Sequence, residues 1–207
     1  MNGNPFYGSP VATLTSHSDR FVMGENGMEL INKDEKILVT FLCSKLDESG
    51  KYQISDDVEI IGWYAFNSCS NIRSVTLHEK LRTIYGYAFY SSGLELIEIL
   101  QSVKYIGTNA FSICGSLSKL SIEEGMKGSI EGRIQSNSSL TELTLPESLW
   151  RDDSQIDDYA FEDSNLTTIT FSCGKDDTSC VPESKTYKGK DVSIVCGECP
   201  AEQQQTL

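Results

Sequence analysis

Ile61-Gly-Trp-Tyr-Ala-Phe66 returns nearly unchanged as Ile84-Tyr-Gly-Tyr-Ala-Phe89 and again as Ile106-Gly-Thr-Asn-Ala-Phe111. A diverged copy reads Ile130-Glu-Gly-Arg-Ile-Gln135, with Ile134 and Gln135 in the Ala and Phe places, and a fifth reads Ile156-Asp-Asp-Tyr-Ala-Phe161. Each copy runs through a polar turn into a short alternating segment. These segments are Val75-Thr-Leu77, Ile97-Glu-Ile99, Leu120-Ser-Ile122, Leu143-Thr-Leu145 and Ile169-Thr-Phe171, and their starts lie 22, 23, 23 and 26 residues apart. A repeat of this period is one strand plus a return segment that cannot bury its apolar face alone, so the copies must stack.

The hydrophobic-x-hydrophobic segments place two side chains inward and the middle one outward, as in a half-buried strand. The Ala-Phe pair predicts a short helical turn, with Ala where backbones crowd and Phe filling the centre. The Ile four residues before Ala predicts a second short strand on the opposite wall. Stacking at the ~4.8 Å strand spacing then builds two ladders around one apolar core. The fold expected is a leucine-rich repeat solenoid, mainly β with short helical turns. It has about five repeats of 22–26 residues over 58–171, a hairpin-bearing cap over 1–57 and a cysteine-containing unit over 172–207. In the cap, Met28 to Ile31 and Lys36 to Phe41 read as strands joined across a polar turn. The fourth copy, with three glycines between Gly125 and Arg133, predicts a looser unit, and Glu147 to Gln155, containing Trp150, a protruding loop.

The pattern Ile-Gly-x-x-Ala-Phe-x-x-Cys-x-x-Leu-x-x-Val-x-Leu, best kept from Ile61 to Leu77, closely resembles the BspA-like leucine-rich repeat family. Asn4-Pro-Phe6 and the stretch from Phe21 to Val39 resemble that family's hairpin-bearing unit, so the resemblance covers residues 4 to about 171. Members are described as surface antigens or adhesins of bacteria and parasitic protists. The resemblance therefore implies a non-enzymatic, surface-exposed or secreted binding module for a protein partner, such as a host or extracellular-matrix protein. A cytosolic scaffold for protein–protein interaction is the alternative. It is favoured by an N-terminus, Met-Asn-Gly-Asn-Pro-Phe-Tyr, without a basic or apolar signal segment.

Composition narrows the partners. Hydrophobic residues make up 39% and charged residues 23% of the 207. No apolar run approaches the ~20 residues of a membrane span. Thirty Asp and Glu against 17 Lys and Arg leave a net charge of -13, spread along the whole chain. Nucleic acid, which needs clustered cations, is excluded as a partner class.

Catalytic material is sparse. Two histidines, His17 and His78, give little for a base, triad or metal site, and no phosphate loop, nucleophile elbow or dinucleotide fingerprint is present. No enzyme activity and no cofactor are expected.

Seven cysteines cannot all pair within the chain. Cys69 and Cys114 share one repeat position two copies apart, roughly 10 Å, which is beyond bridging reach; they are expected to be free and buried. Cys173, Cys180, Cys196 and Cys199 form a C-terminal cluster ending in Cys-Gly-Glu-Cys. It fits a disulfide-stapled cap, a zinc site with four thiolate ligands, or redox-active or merely structural thiols; no other metal is expected. Asn137-Ser-Ser and Asn165-Leu-Thr have the form of glycosylation acceptors.

The candidate binding surface is the outward face of the strand ladder. Aligning the copies sets Ser74, Leu96, Lys119, Glu142 and Thr168 in one outward row, and Thr76, Glu98, Ser121, Thr144 and Thr170 in the next. Leu96 and Leu100, beside Glu98, are the expected exposed apolar anchor.

Overall fold

The computed structural model describes residues 4–6, 11–123, 134, 137, 139–146, 148–149, 156, 160–161, 163–172, 183–187 and 190–196. These residues form a coil of short strands and turns with almost no helix, in which two sheets enclose one core. The smaller sheet runs in the order β1 (Phe21–Met23), β2 (Glu29–Asn32), β3 (Ile37–Phe41), β5 (Ile60–Ile61), β7 (Thr83–Ile84), β9 (Tyr105–Ile106). The larger is the expected ladder. It starts at β4 (Lys51–Gln53) and continues through β6 (Ser74–Thr76), β8 (Leu96–Ile99), β10 (Lys119–Ile122), β11 (Glu142–Pro146), β12 (Thr168–Ser172) and β14 (Lys190–Cys196) to β13 (Glu183–Tyr187).

Ladder neighbours from β4 to β14 pair in parallel, and β13 returns antiparallel on β14. The short parallel strands of the other wall pair Leu38 with Ile61, Ile61 with Ile84 and Ile84 with Ile106. The expected cap hairpin is present as β2 and β3, antiparallel with Glu29 opposite Phe41, and β1 adds to its outer edge.

The inward residues Val75, Leu77, Ile97, Ile99, Leu120, Ile122, Leu143, Leu145, Ile169 and Phe171 are all buried. At the turns that keep the Ala-Phe pair, both residues lie inside, and the rings stack along the coil. Ring centroids are 4.7 Å apart from Phe41 to Phe66, 4.8 Å from Phe66 to Phe89 and 5.3 Å from Phe89 to Phe111. Backbone bonds tie the same turns together: the Phe41, Phe66 and Phe89 N–H groups donate to the Ala65, Ala88 and Ala110 carbonyls. Phe41 therefore belongs to a repeat of its own, one turn before the copy at Ile61.

The diverged copy is registered one residue away from the sequence reading. Ile134 is buried and holds the Phe place rather than the Ala place, because Asn137, three residues on, aligns with Cys114. The Asn137 Nδ2 donates to the carbonyls of Phe111 and Ile134, and its backbone carbonyl accepts from Leu140, as that of Cys114 accepts from Leu117. The glycine-rich segment 125–133 and the Trp150 loop lie outside the described residues.

Between hairpin and ladder sits a carboxyl group. Glu29 on β2 is fully buried; Oε1 accepts the Ser55 N–H at 3.2 Å, while Oε2 accepts no hydrogen bond among the described residues. Burial, reinforced by nearby Asp57, raises its pKa above the ordinary 4.5 against the opposing pull of the Ser55 N–H and the Tyr52 hydroxyl. Tyr52 is itself pushed up by burial and by Glu29, and its hydroxyl accepts a hydrogen bond from Asn26 Nδ2.

This packing can be tested at two points. Phe89→Ala opens the ring stack at its middle and costs about 3–5 kcal/mol in urea unfolding; a loss below about 1 kcal/mol would show the ring to be peripheral. For Glu29, the folded pKa lies above the unfolded one. Its contribution is thus intact below about pH 4.5 and is lost as pH rises through the folded value. Glu29→Gln removes that loss, so its melting temperature relative to the natural chain climbs between pH 4 and 8. Parallel melting curves would contradict the assignment.

Candidate functional site

The ladder face is built by register. Cα pairing sets Lys51, Ser74, Leu96, Lys119, Glu142, Thr168 and Ser193 side by side, one residue from each parallel strand. Two residues on, Gln53 pairs with Thr76, Glu98 with Ser121, Ser121 with Thr144, Thr144 with Thr170 and Thr170 with Val195. The first row is therefore paired strand by strand along the ladder, and the second is paired from Gln53 to Thr76 and again from Glu98 to Val195; each reaches one strand further at either end than the sequence alignment placed it.

Leu96, Lys119, Glu142, Thr76 and Glu98 are exposed; Ser74, Ser121, Thr144, Thr168 and Thr170 are half-buried between their neighbours. Lys119 Nζ lies 3.0 Å from Glu142 Oε2, a surface pair worth about 0–1 kcal/mol. The row centre thus presents hydroxyls and one neutralised ion pair. Leu96 is 51% exposed and is the apolar knob of the face, with Val195 at 42% on the far strand. Leu100 is a correction: it is half-buried and packs against the core, because the chain turns inward after Ile99.

A second surface escaped the sequence reading, which treated the two middle positions of Ile-Gly-x-x-Ala-Phe as filler. They hold Trp63, Tyr64 and Tyr87, and with Tyr85 and Tyr90 these half-buried rings form one cluster beside the short-strand sheet. Trp63 stacks on Tyr85 at 6.0 Å and Tyr64 on Tyr87 at 5.0 Å, while Tyr90 meets Tyr87 edge-on at 5.5 Å. Gly86 makes room for this, since a Cβ there would come within 2.4 Å of the Trp63 ring. The signal was the density of Trp and Tyr within two repeats.

The cysteines differ from expectation. Cys69 is not free: it forms a disulfide with Cys43, their Cα atoms 5.5 Å apart. The distance argument against Cys114 holds, but the partner comes from the unrecognised preceding repeat, two residues past Phe41. Cys114 is a buried free thiol, its pKa pushed up to about 11 by burial, with Sγ 3.0 Å from the Phe89 carbonyl it bonds. That makes it a packing group rather than a nucleophile. Of the four C-terminal cysteines, Cys173, Cys180 and Cys199 lie outside the described residues. Cys196 is described only in its backbone, opposite Phe171. The choice between disulfide and zinc therefore falls outside them too.

Of the two glycosylation acceptors, Asn137 is fully buried with its amide nitrogen donating to two carbonyls, so the folded chain offers no room for a glycan there. Asn165 is exposed. Among the described residues no group of three or more His, Cys, Asp or Glu is placed to hold a metal ion, and no helix is long and apolar enough to cross a membrane.

A family model described as a BspA type leucine-rich repeat region matches residues 40–167 in six copies. Its span begins one repeat earlier than the copy at Ile61, as the Phe41 turn does. A crystal structure of a leucine-rich repeat protein from Eubacterium ventriosum is similar with a TM-score of 0.60 and 21% identity over 93% of this chain and 54% of that one. The pneumococcal vaccine antigen PcpA is similar at 17% identity with a TM-score of 0.48, over 77% of this chain and 44% of that one. A leucine-rich cell surface protein from Faecalibacterium prausnitzii gives 23% identity and a TM-score of 0.43, over 63% and 37%. The chain thus spans between 37% and 54% of the solved proteins it resembles. No curated protein matches it.

Alkylation before reduction is expected to leave Cys43 and Cys69 unlabelled, and reduction to expose both. Mass-spectrometric detection of either as an alkylated thiol in the unreduced protein would remove the bridge.

Proposed function

The chain belongs to the BspA-type leucine-rich repeat family, and on that footing we propose that it is an exported, adhesin-like module that binds a protein partner through its ladder face. Repeats of this family form a protein-interaction fold, and a solenoid's continuous strand wall is where such folds build extended sites. The single observation that carries the proposal is the register of the two outward rows over seven parallel strands. Hydroxyl groups and a self-neutralised ion pair hydrogen-bond a partner without stranding a buried charge, and Leu96 supplies the apolar centre.

The Cys43–Cys69 disulfide supports export, because such bridges persist in oxidising compartments and are rare in the cytosol. It weighs against the cytosolic scaffold. Exposed Asn165 is the remaining acceptor for a glycan in a secretory pathway that glycosylates.

The test uses a panel of immobilised, purified extracellular-matrix proteins in a solid-phase assay. One or more is expected to bind saturably. Glu98→Arg combined with Ser121→Arg should weaken that binding at least tenfold, with the melting temperature unchanged because both side chains lie on the outward face. Saturable binding that survives the double substitution would move the contact off the ladder.

A further inference from the structure

The first turn of the coil is two residues short. Leu38 pairs with Ile61 in the short-strand sheet, yet only Val39 and Thr40 separate it from Phe41, where Gly62, Trp63, Tyr64 and Ala65 separate Ile61 from Phe66. Where the turn is complete, the residue in the Tyr64 place reaches the next repeat through its backbone: the Tyr87 N–H donates to the Thr108 carbonyl at 3.0 Å. The Trp63 carbonyl stands where that of Thr108 does, but the short first turn has no residue to bond it. The donor comes from elsewhere in the sequence, since the Asn4 N–H bonds the Trp63 carbonyl at 3.2 Å.

The Asn4 side chain completes the join. Its Nδ2 donates to the Tyr64 carbonyl and to the Thr40 hydroxyl, each at 3.0 Å, and its Oδ1 accepts the Phe6 N–H at 2.8 Å. Both amide hydrogens and the amide oxygen are thus engaged. The last bond closes a turn within three residues, and Pro5 fixes the backbone between its ends. Asn4-Pro-Phe6 is therefore a hook that holds its own shape, so little order is lost when it docks. Asp in place of Asn4 would offer no donor to either acceptor and would set a carboxylate against a carbonyl. The seat reads an asparagine.

We propose that the seat formed by Thr40, Trp63 and Tyr64 docks the Asn4-Pro-Phe6 segment of a second copy, so that two chains link by reciprocal exchange of this hook. The hydrogen bonds that hold it run between the three-residue hook and the seat, and none depends on which chain supplies the hook. Exchange of an identical element conserves those bonds and is a low-cost route to a dimer. Two features of the sequence around the hook suit it to exchange. Residues 11–20 form no helix or strand, and seven of these ten are exposed. Residues 1–18 contain no Asp, Glu, Lys or Arg in a chain whose net charge is -13, so they approach another acidic copy without repulsion. Docking within one chain competes at an effective concentration of the order of 1 mM, so the linked form grows with chain concentration. The seat lies outside the ladder strands and does not depend on the function proposed for that face.

The test is sedimentation of the full chain from about 10 μM to about 1 mM, the range that brackets the effective concentration within one chain. The mass is expected to rise from one chain toward two, and the Asn4→Asp chain to stay at one throughout. A labelled synthetic peptide of residues 1–10 should bind the Asn4→Asp chain saturably, and at least tenfold more tightly than the same peptide carrying Asn4→Asp. An excess of the unsubstituted peptide should return the natural chain to single copies, a measurement that needs no variant. A circular-dichroism melt shows whether Asn4→Asp keeps the fold; if it does not, the peptide competition on the natural chain decides. The proposal is overturned if the natural chain stays single over the whole range, or if a folded Asn4→Asp chain pairs as the natural one does. It is equally overturned if the peptide binds without regard to Asn4, or leaves the paired natural chain intact.

Discussion

Successive turns of this coil are fastened at the same point, where a Phe N–H bonds the Ala carbonyl of the next repeat and the Phe ring lies on the ring of that repeat. The rings of Phe66 and Phe89 are within 4° of parallel, and their spacing of 4.8 Å equals the strand spacing to which the ladder is held. One distance therefore serves both hydrogen bonding and packing. A repeat that kept the bonds but changed the ring would leave a void, and one that kept the ring but moved the chain would strand buried N–H and carbonyl groups.

The fourth copy shows how the constraint is met when the consensus fails. Ile134 takes the Phe place, and the position three residues on, filled by Cys69, Ser92, Cys114 and Ser164 in other copies, holds Asn137. These small side chains bond the carbonyls of the turn: Cys114 reaches that of Phe89, Ser164 that of Phe161, and Asn137 those of Phe111 and Ile134. A residue whose sequence context marks it for glycosylation is consumed in satisfying buried backbone. In the first two repeats the neighbourhood is closed by a disulfide instead, which ties the Phe41 turn to the Phe66 turn covalently.

Because each repeat is copied in place, any residue type favoured at one position becomes a row. On the ladder that yields a polar wall with Leu96 as its apolar knob; on the other wall it yields stacked aromatic rings. Left-handed backbone also recurs in rows, at Tyr64, Tyr87 and Asn109 and again at Ser68, Ser91, Ile113 and Asp163. Asn and Asp tolerate that conformation, whereas Tyr and the β-branched Ile are held there by the turns on either side.

The coil itself was legible in the chain before any coordinates: period, strand positions, inward residues and the pairing of Ser74 with Leu96 or Lys119 with Glu142 all follow from Ile-Gly-x-x-Ala-Phe and its spacing. Each of these depends on local alternation repeated at constant height. Whatever depends on residues meeting across turns needed three dimensions. Phe41 reads as part of a hairpin strand until its ring is found on Phe66, so the repeat that supplies Cys43 to Cys69 was invisible. The shift of Ile134 into the Phe place has the same cause, since a diverged copy can be aligned by eye in two registers and only buried hydrogen bonds choose between them. The aromatic wall arises from Gly86, whose missing Cβ lets one repeat's indole lie across the next. No single repeat, read alone, contains that contact.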